Sequence, residues 1–129
     1  MNPSVTIRRR VQWIDTDAAG IWHHSVIIRW TEEAEAELHR RLGIIEDTFG
    51  ATPRVRTEFD FGVALQFDDE VEITLSVEAL GETSITYVVE VRNSGTAIVN
   101  GRMVAVLIDR ETGRKMPWSE TLRAALSGR

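Results

Sequence analysis

The run Asp15-Thr16-Asp17-Ala18-Ala19-Gly20-Ile21-Trp22-His23-His24-Ser25 gathers two carboxylates, two of the three histidines and two hydroxyls in one short segment. A carboxylate can attack a carbonyl carbon or take a proton from an attacking water. A helix opening just beyond the segment supplies unpaired backbone N–H groups and a positive dipole end. Both stabilise negative charge developing on a carbonyl oxygen. Carboxylate and amides together suit hydrolysis of an activated acyl group. The same residue types also shape turns and cap helices, so Asp15, Thr16 and Asp17 have a structural use too.

Other nucleophiles are poorly represented. The chain has no cysteine, which removes thiol catalysis, cysteine zinc sites, iron–sulfur clusters and disulfides together. No G-x-S-x-G elbow occurs. His23 and His24 are adjacent, so their side chains diverge. His39 lies about four helical turns further on, and no H-E-x-x-H spacing exists; no metal site is expected. His39 reads as a solvated helix residue. Asp15 and Asp17, two apart on an extended backbone, would point the same way. Two charged carboxylates in one dry pocket oppose each other. Asp15 is therefore assigned to bonding loop amides.

The elements around this segment follow from periodicity. Val5, Ile7, Val11 and Trp13 alternate with polar residues, which predicts a strand, although Arg9 interrupts its apolar side. Beyond His24 the apolar period changes to Ile27, Trp30, Ala34, Leu38 and Leu42. That spacing predicts a helix over 25–42, roughly 27 Å long, with Gly43 as a left-handed cap. Glu32, Glu35, Glu37, Arg40 and Arg41 fall on its opposite, solvent-facing side. Alternating runs over 54–61, 70–78, 85–91 and 97–107 predict four more strands. Asn93-Ser94-Gly95 signals a tight hairpin. Ser119 caps a short terminal helix over 119–126. A strand, one long helix and then consecutive strands make an α+β layer, with an antiparallel sheet packed on the helix.

The 129 residues suit one domain, with 43% hydrophobic and 27% charged residues. A net charge of −5 argues against a nucleic-acid binder, which needs a basic face. No window holds the ~20 apolar residues of a membrane helix, and the arginines at 8–10 precede no apolar leader core. A cytoplasmic protein is expected.

The segment Asp15-Thr16-Asp17-Ala18-Ala19-Gly20-Ile21-Trp22-His23-His24, with Arg29-Trp30 and Glu32 following, resembles the 4-hydroxybenzoyl-CoA thioesterase family of hotdog-fold proteins. It is similar above all to the short-chain acyl-CoA thioesterase branch. Asp68-Asp69 and Pro117 match the family's acidic turn and late proline. The resemblance runs over nearly the whole chain. It implies a hotdog fold, a curved antiparallel sheet of about five strands wrapped around one long central helix.

The resemblance also implies an acyl-CoA thioesterase that needs no cofactor, coenzyme A being part of the substrate. Asp17 would be nucleophile or general base, with amides near His24 polarising the carbonyl. Gly20, Trp22, Ile27 and Ser84 would meet the substrate. Trp22 is assigned to an acyl pocket, Trp13 and Trp30 to the core. Ile27 stands where relatives commonly carry tyrosine, and Gly81-Glu82-Thr83 replaces a basic cluster before Ser84. An acyl-carrier-protein thioester is thus an alternative substrate. A homodimer or homotetramer is expected. A non-catalytic acyl-thioester-binding module and a hotdog dehydratase are the alternative functions.

Overall fold

The computed structural model describes residues 2–128. The chain forms β1 (Ser4–Arg10), a 3₁₀ turn (Trp13–Asp15), α1 (Val26–Arg41), the short α2 (Ile45–Thr48), β2 (Arg54–Phe61), β3 (Glu70–Leu80), β4 (Ser84–Asn93), β5 (Thr96–Val106) and α3 (Glu120–Ser127). The five strands make one antiparallel sheet in the order β1-β3-β4-β5-β2. This is the predicted hotdog arrangement, with the sheet curved about α1.

The two periods read from the sequence meet in the core. Ile73, Leu75, Val77, Ile85, Val89 and Val91 face inward from β3 and β4 against Ile27, Trp30, Ala34 and Leu38 of α1. Burying each of the valine, leucine and isoleucine side chains stabilises the fold by about 1.5–3 kcal/mol. Gly43 follows α1 with φ +74°, a left-handed conformation that ends the helix as its position predicts. Ser94 and Gly95 form the two-residue loop between β4 and β5. Ser119 caps α3, its Oγ accepting from the Leu122 N–H at 3.2 Å.

Four expectations fail. Trp13 is not in the core: β1 stops at Arg10, and the following 3₁₀ turn leaves the indole 74% exposed and edge-on to Phe67. His39 is fully buried rather than solvated, bonded to Thr48 and Tyr87. Glu35 is fully buried too, paired with Arg54 of β2. The pairing register of β2 shifts between Arg54 and Arg56, so its regular alternation breaks there. β2 is also an edge strand, and most of its residues are exposed rather than half buried.

Candidate active site

The segment between β1 and α1 is braced against the loop between β2 and β3. Val11 and the Asp68–Asp69 turn exchange backbone bonds of 2.8 and 2.9 Å, and the Trp22 N–H donates to the Leu65 carbonyl at 2.9 Å. Ile21 forms a bridge with Gln66. Both loops lie at one end of the sheet, where β1 and β2 finish and β3 begins.

Asp17 starts a tight turn. Its carbonyl accepts from the Gly20 N–H, and its own N–H donates to the Ile21 carbonyl, both at 2.9 Å. Asp17 Oδ1 accepts from the Ala19 N–H at 2.8 Å, which fixes the carboxylate orientation. Oδ2 has no donor among the described residues and is available to a substrate or water. Gly20 adopts φ +79°, a conformation that costs other residues about 1–2 kcal/mol. Asp15 plays the separate part read for it. Its side chain is buried, accepts from the Gln12 N–H at 2.7 Å and pairs with Arg29 at 2.5 Å.

Asp17 lines a cleft of about 280 Å³ with Ile21, Trp22, His24 and the stretch Phe61 to Ala64. Trp22 is 5% exposed and packs between Trp30 and Phe61, with ring centroids 5.6 and 5.9 Å away. His24 is exposed, its ring 4.2 Å from that of His23. The Val26 N–H donates to the His23 carbonyl, whereas the His24 N–H has no acceptor among the described residues. Asp17 and His24, the latter with an unengaged backbone N–H just ahead of α1, therefore line one cleft with an aromatic wall.

The cleft gathers Asp17, Trp22 and His24, with Gly20 shaping its turn. Ile27 is 1% exposed in the core and does not line it. Ser84 opens β4 at the other end of the sheet, its carbonyl accepting from Trp118 Nε1 at 3.1 Å. Phe61, Gly62, Val63 and Ala64 are not singled out by the sequence, because only the pairing of β2 beside the loop brings them there. Nor does the sequence mark Arg29 as the partner of Asp15. A second cleft of about 470 Å³ lies against it, lined by Thr16, His23 and Ser25. Among the described residues no cluster of three histidines or acids is placed to hold a metal, and no helix is long and apolar enough to cross a membrane.

Residues 11–126 match the thioesterase-like superfamily. The chain belongs to that family. Among its relatives, a 1,4-dihydroxy-2-naphthoyl-CoA hydrolase from a strain of Prochlorococcus marinus is 31% identical over 114 residues, covering 76% of this chain and 74% of the relative. A protein described as a putative esterase of Aquifex aeolicus (strain VF5) is 29% identical over 113 residues, covering 77% and 88%. The structure of a gentisyl-coenzyme A thioesterase superposes with a TM-score of 0.86 at 25% identity, covering 95% of this chain and all of that one. The hotdog fold read from the sheet order and central helix is thus shared with a thioesterase over nearly the full length of both chains.

Proposed function

We propose that this protein is an acyl-CoA thioesterase that acts through Asp17. The observation that supports this reading is that Asp17 and His24 line one cleft just ahead of α1, and that the His24 N–H has no acceptor among the described residues. The thioester carbonyl oxygen accepts from that amide, and the dipole of α1 adds to the stabilisation of the developing oxyanion. One such donor is worth roughly 3–4 kcal/mol in characterised hydrolases. Asp17 then either attacks the carbonyl carbon, giving a mixed anhydride that water cleaves, or takes the proton from a water that attacks directly. In both routes the C–S bond breaks, coenzyme A leaves as thiolate and a free carboxylic acid results.

The aromatic wall of Trp22 and Phe61 suits a flat, compact acyl group. Relatives named for naphthoyl and gentisyl thioesters support the same choice. Gly20 serves by shaping the turn that aims Asp17. Within one chain, Ile27 supports the cleft from the core. Ser84 reaches substrate only if a second copy brings its β4 end to the cleft of the first, as a homodimer or homotetramer would. Arg54, Arg56, Arg92 and Arg102 are each engaged by a glutamate, while Arg114 and Lys115 have no carboxylate partner among the described residues. These two are the better candidates for meeting the coenzyme A phosphates. The protein is assigned to the cytoplasm, where acyl-CoA is available.

Thiol release from a panel of aliphatic and aromatic acyl-CoAs tests the reading, with Asp17→Asn as control. Hydrolysis by wild type that falls about 10²–10⁴-fold in Asp17→Asn is expected. Binding of acyl-CoA without turnover of any substrate would instead favour an acyl-thioester-binding module.

A further inference from the structure

Away from the cleft, a chain of buried polar side chains crosses the core. Glu35 and His39 come from α1, Thr48 from α2, Arg54 from β2 and Tyr87 from β4. Glu35 and Tyr87 have no exposed surface, and His39 has 1%. His39 Nδ1 lies 2.5 Å from Thr48 Oγ1, and Nε2 lies 2.8 Å from the Tyr87 hydroxyl. Among the described residues the Tyr87 hydroxyl makes its one hydrogen bond to His39, and the Glu35 carboxyl group lies close to it without a bond between them. Glu35 Oε1 pairs with Arg54, while Oε2 is buried without a partner. An unsatisfied buried oxygen is costly, so the protonation state that satisfies it matters.

Closing the gap between the Tyr87 hydroxyl and the orphaned Glu35 Oε2 would complete the chain in either of two arrangements. With Glu35 ionised, Thr48 donates to His39 Nδ1, His39 Nε2–H donates to the Tyr87 oxygen, and Tyr87 donates to the Glu35 carboxylate. With Glu35 protonated, every bond reverses. Its O–H donates to Tyr87, Tyr87 donates to His39 Nε2, His39 Nδ1–H donates to Thr48, and Thr48 donates to the Ile44 carbonyl. The last contact is already present at 3.1 Å. The two arrangements differ by one proton, gained from solvent and held on Glu35, and His39 stays neutral in both.

We propose that Glu35, Tyr87, His39 and Thr48 form a reversible proton switch, in which uptake of one proton at Glu35 reverses the chain and releases Arg54. Arg54 then keeps only its bond from Nη1 to the Thr52 carbonyl, at 2.9 Å. The start of β2 loosens as a result. That segment walls a cavity of about 400 Å³ that includes Thr52, Pro53 and Arg54.

The charged groups bearing on Glu35 are Arg54, which favours the carboxylate, and Glu32 one turn earlier, which opposes it. From the other elements packed here, Tyr87 and Thr48 face the chain as neutral hydroxyls. Burial is the largest influence and holds the Glu35 carboxyl above the ordinary carboxylate range.

Carbon-13 NMR of the glutamate carboxyls, assigned with Glu35→Gln, gives the protonation of Glu35 directly. Amide exchange at Val106 and Ile108 reports the movement, because their N–H groups donate to the Pro53 and Ala51 carbonyls. In wild type, Glu35 should titrate above the other glutamates, and protection factors at Val106 and Ile108 should fall at least tenfold over the same pH range. Glu35→Gln, which can donate to Tyr87 as the protonated acid does, should show low protection at every pH. The proposal is overturned if Glu35 titrates with the exposed glutamates or if wild-type protection does not follow its titration. It is equally overturned if Glu35→Gln keeps the wild-type pH dependence. Should that variant not fold, through-bond correlation of the Glu35 carboxyl carbon to its own backbone supplies the assignment, and the wild-type titration then decides.

Discussion

Asp15 and Arg29 form an ion pair of 2.5 Å in which the carboxylate is 3% exposed and the guanidinium half exposed. The pair ties the loop after β1 to the first turn of α1, and so ties the strand that precedes Asp17 to the amides that follow it. Asp15 also accepts from the Gln12 N–H, and its own carbonyl accepts from the His23 N–H at 2.7 Å.

Arg29→Ala leaves that buried carboxylate with one backbone donor. Breaking a fully buried pair costs about 3–5 kcal/mol, and solvent around Arg29 lowers the figure here to about 2 kcal/mol. Urea denaturation should show this loss as a lower midpoint with an unchanged slope. Arg29→Lys should recover only part of it, because an ammonium keeps the charge and loses the planar fork. An Arg29→Ala protein as stable as wild type would show that water replaces the guanidinium at no cost.

His39 makes stability depend on pH. Burial, with the Arg54 charge adding to it, lowers its pKa from 6.5 to about 4. The unfolded chain therefore binds a proton that the native protein refuses. Stability from the neutral imidazole is complete above pH 6.5 and is lost as pH falls towards 4, by about 3 kcal/mol in all. Glu35 acts in the opposite sense. Its raised pKa contributes stability below the unfolded value of 4.5, and that contribution is lost as pH rises through the native value. Chemical denaturation from pH 7.5 to 4 should thus show a shallow slope in wild type and a steeper one in Glu35→Gln. His39→Gln should abolish the decline between pH 6.5 and 4; an unchanged decline would place its cause in other groups.

Periodicity in the sequence made the framework readable and hid much of its interior chemistry. The helix over 25–42 was legible because its apolar residues recur every three or four positions, and the structure places α1 at 26–41 between the predicted flanking residues. The strands were legible from period-two runs, and the β4–β5 hairpin from Asn93-Ser94-Gly95. Glu35 and His39 mislead because charged and imidazole side chains on a helix normally face water. Arg54 and Tyr87, distant in the chain, together with Thr48 make their burial tolerable. Trp13 misleads because the strand pattern continues past the point where the 3₁₀ turn ends it. In the cleft, the loop motif revealed one wall, while Phe61 to Ala64 depend on the docking of a distant strand end.

Trp22 connects packing to selectivity. It is nearly buried between Trp30 and Phe61 and also faces the cleft that holds Asp17. Trp22→Ala opens a void in this aromatic stack and should cost about 3–5 kcal/mol, enough to confuse activity with stability. Trp22→Phe retains a ring and leaves a smaller void, so it should cost clearly less than Trp22→Ala. If the indole contacts the acyl group, Trp22→Phe should raise KM several-fold for an aromatic acyl-CoA and leave acetyl-CoA nearly unchanged, since only the larger group reaches the wall. Steady-state thiol release with both substrates, beside a thermal melt of each protein, measures this. Equal loss on the two substrates would move the acyl group elsewhere and leave Trp22 as a support for the loop alone.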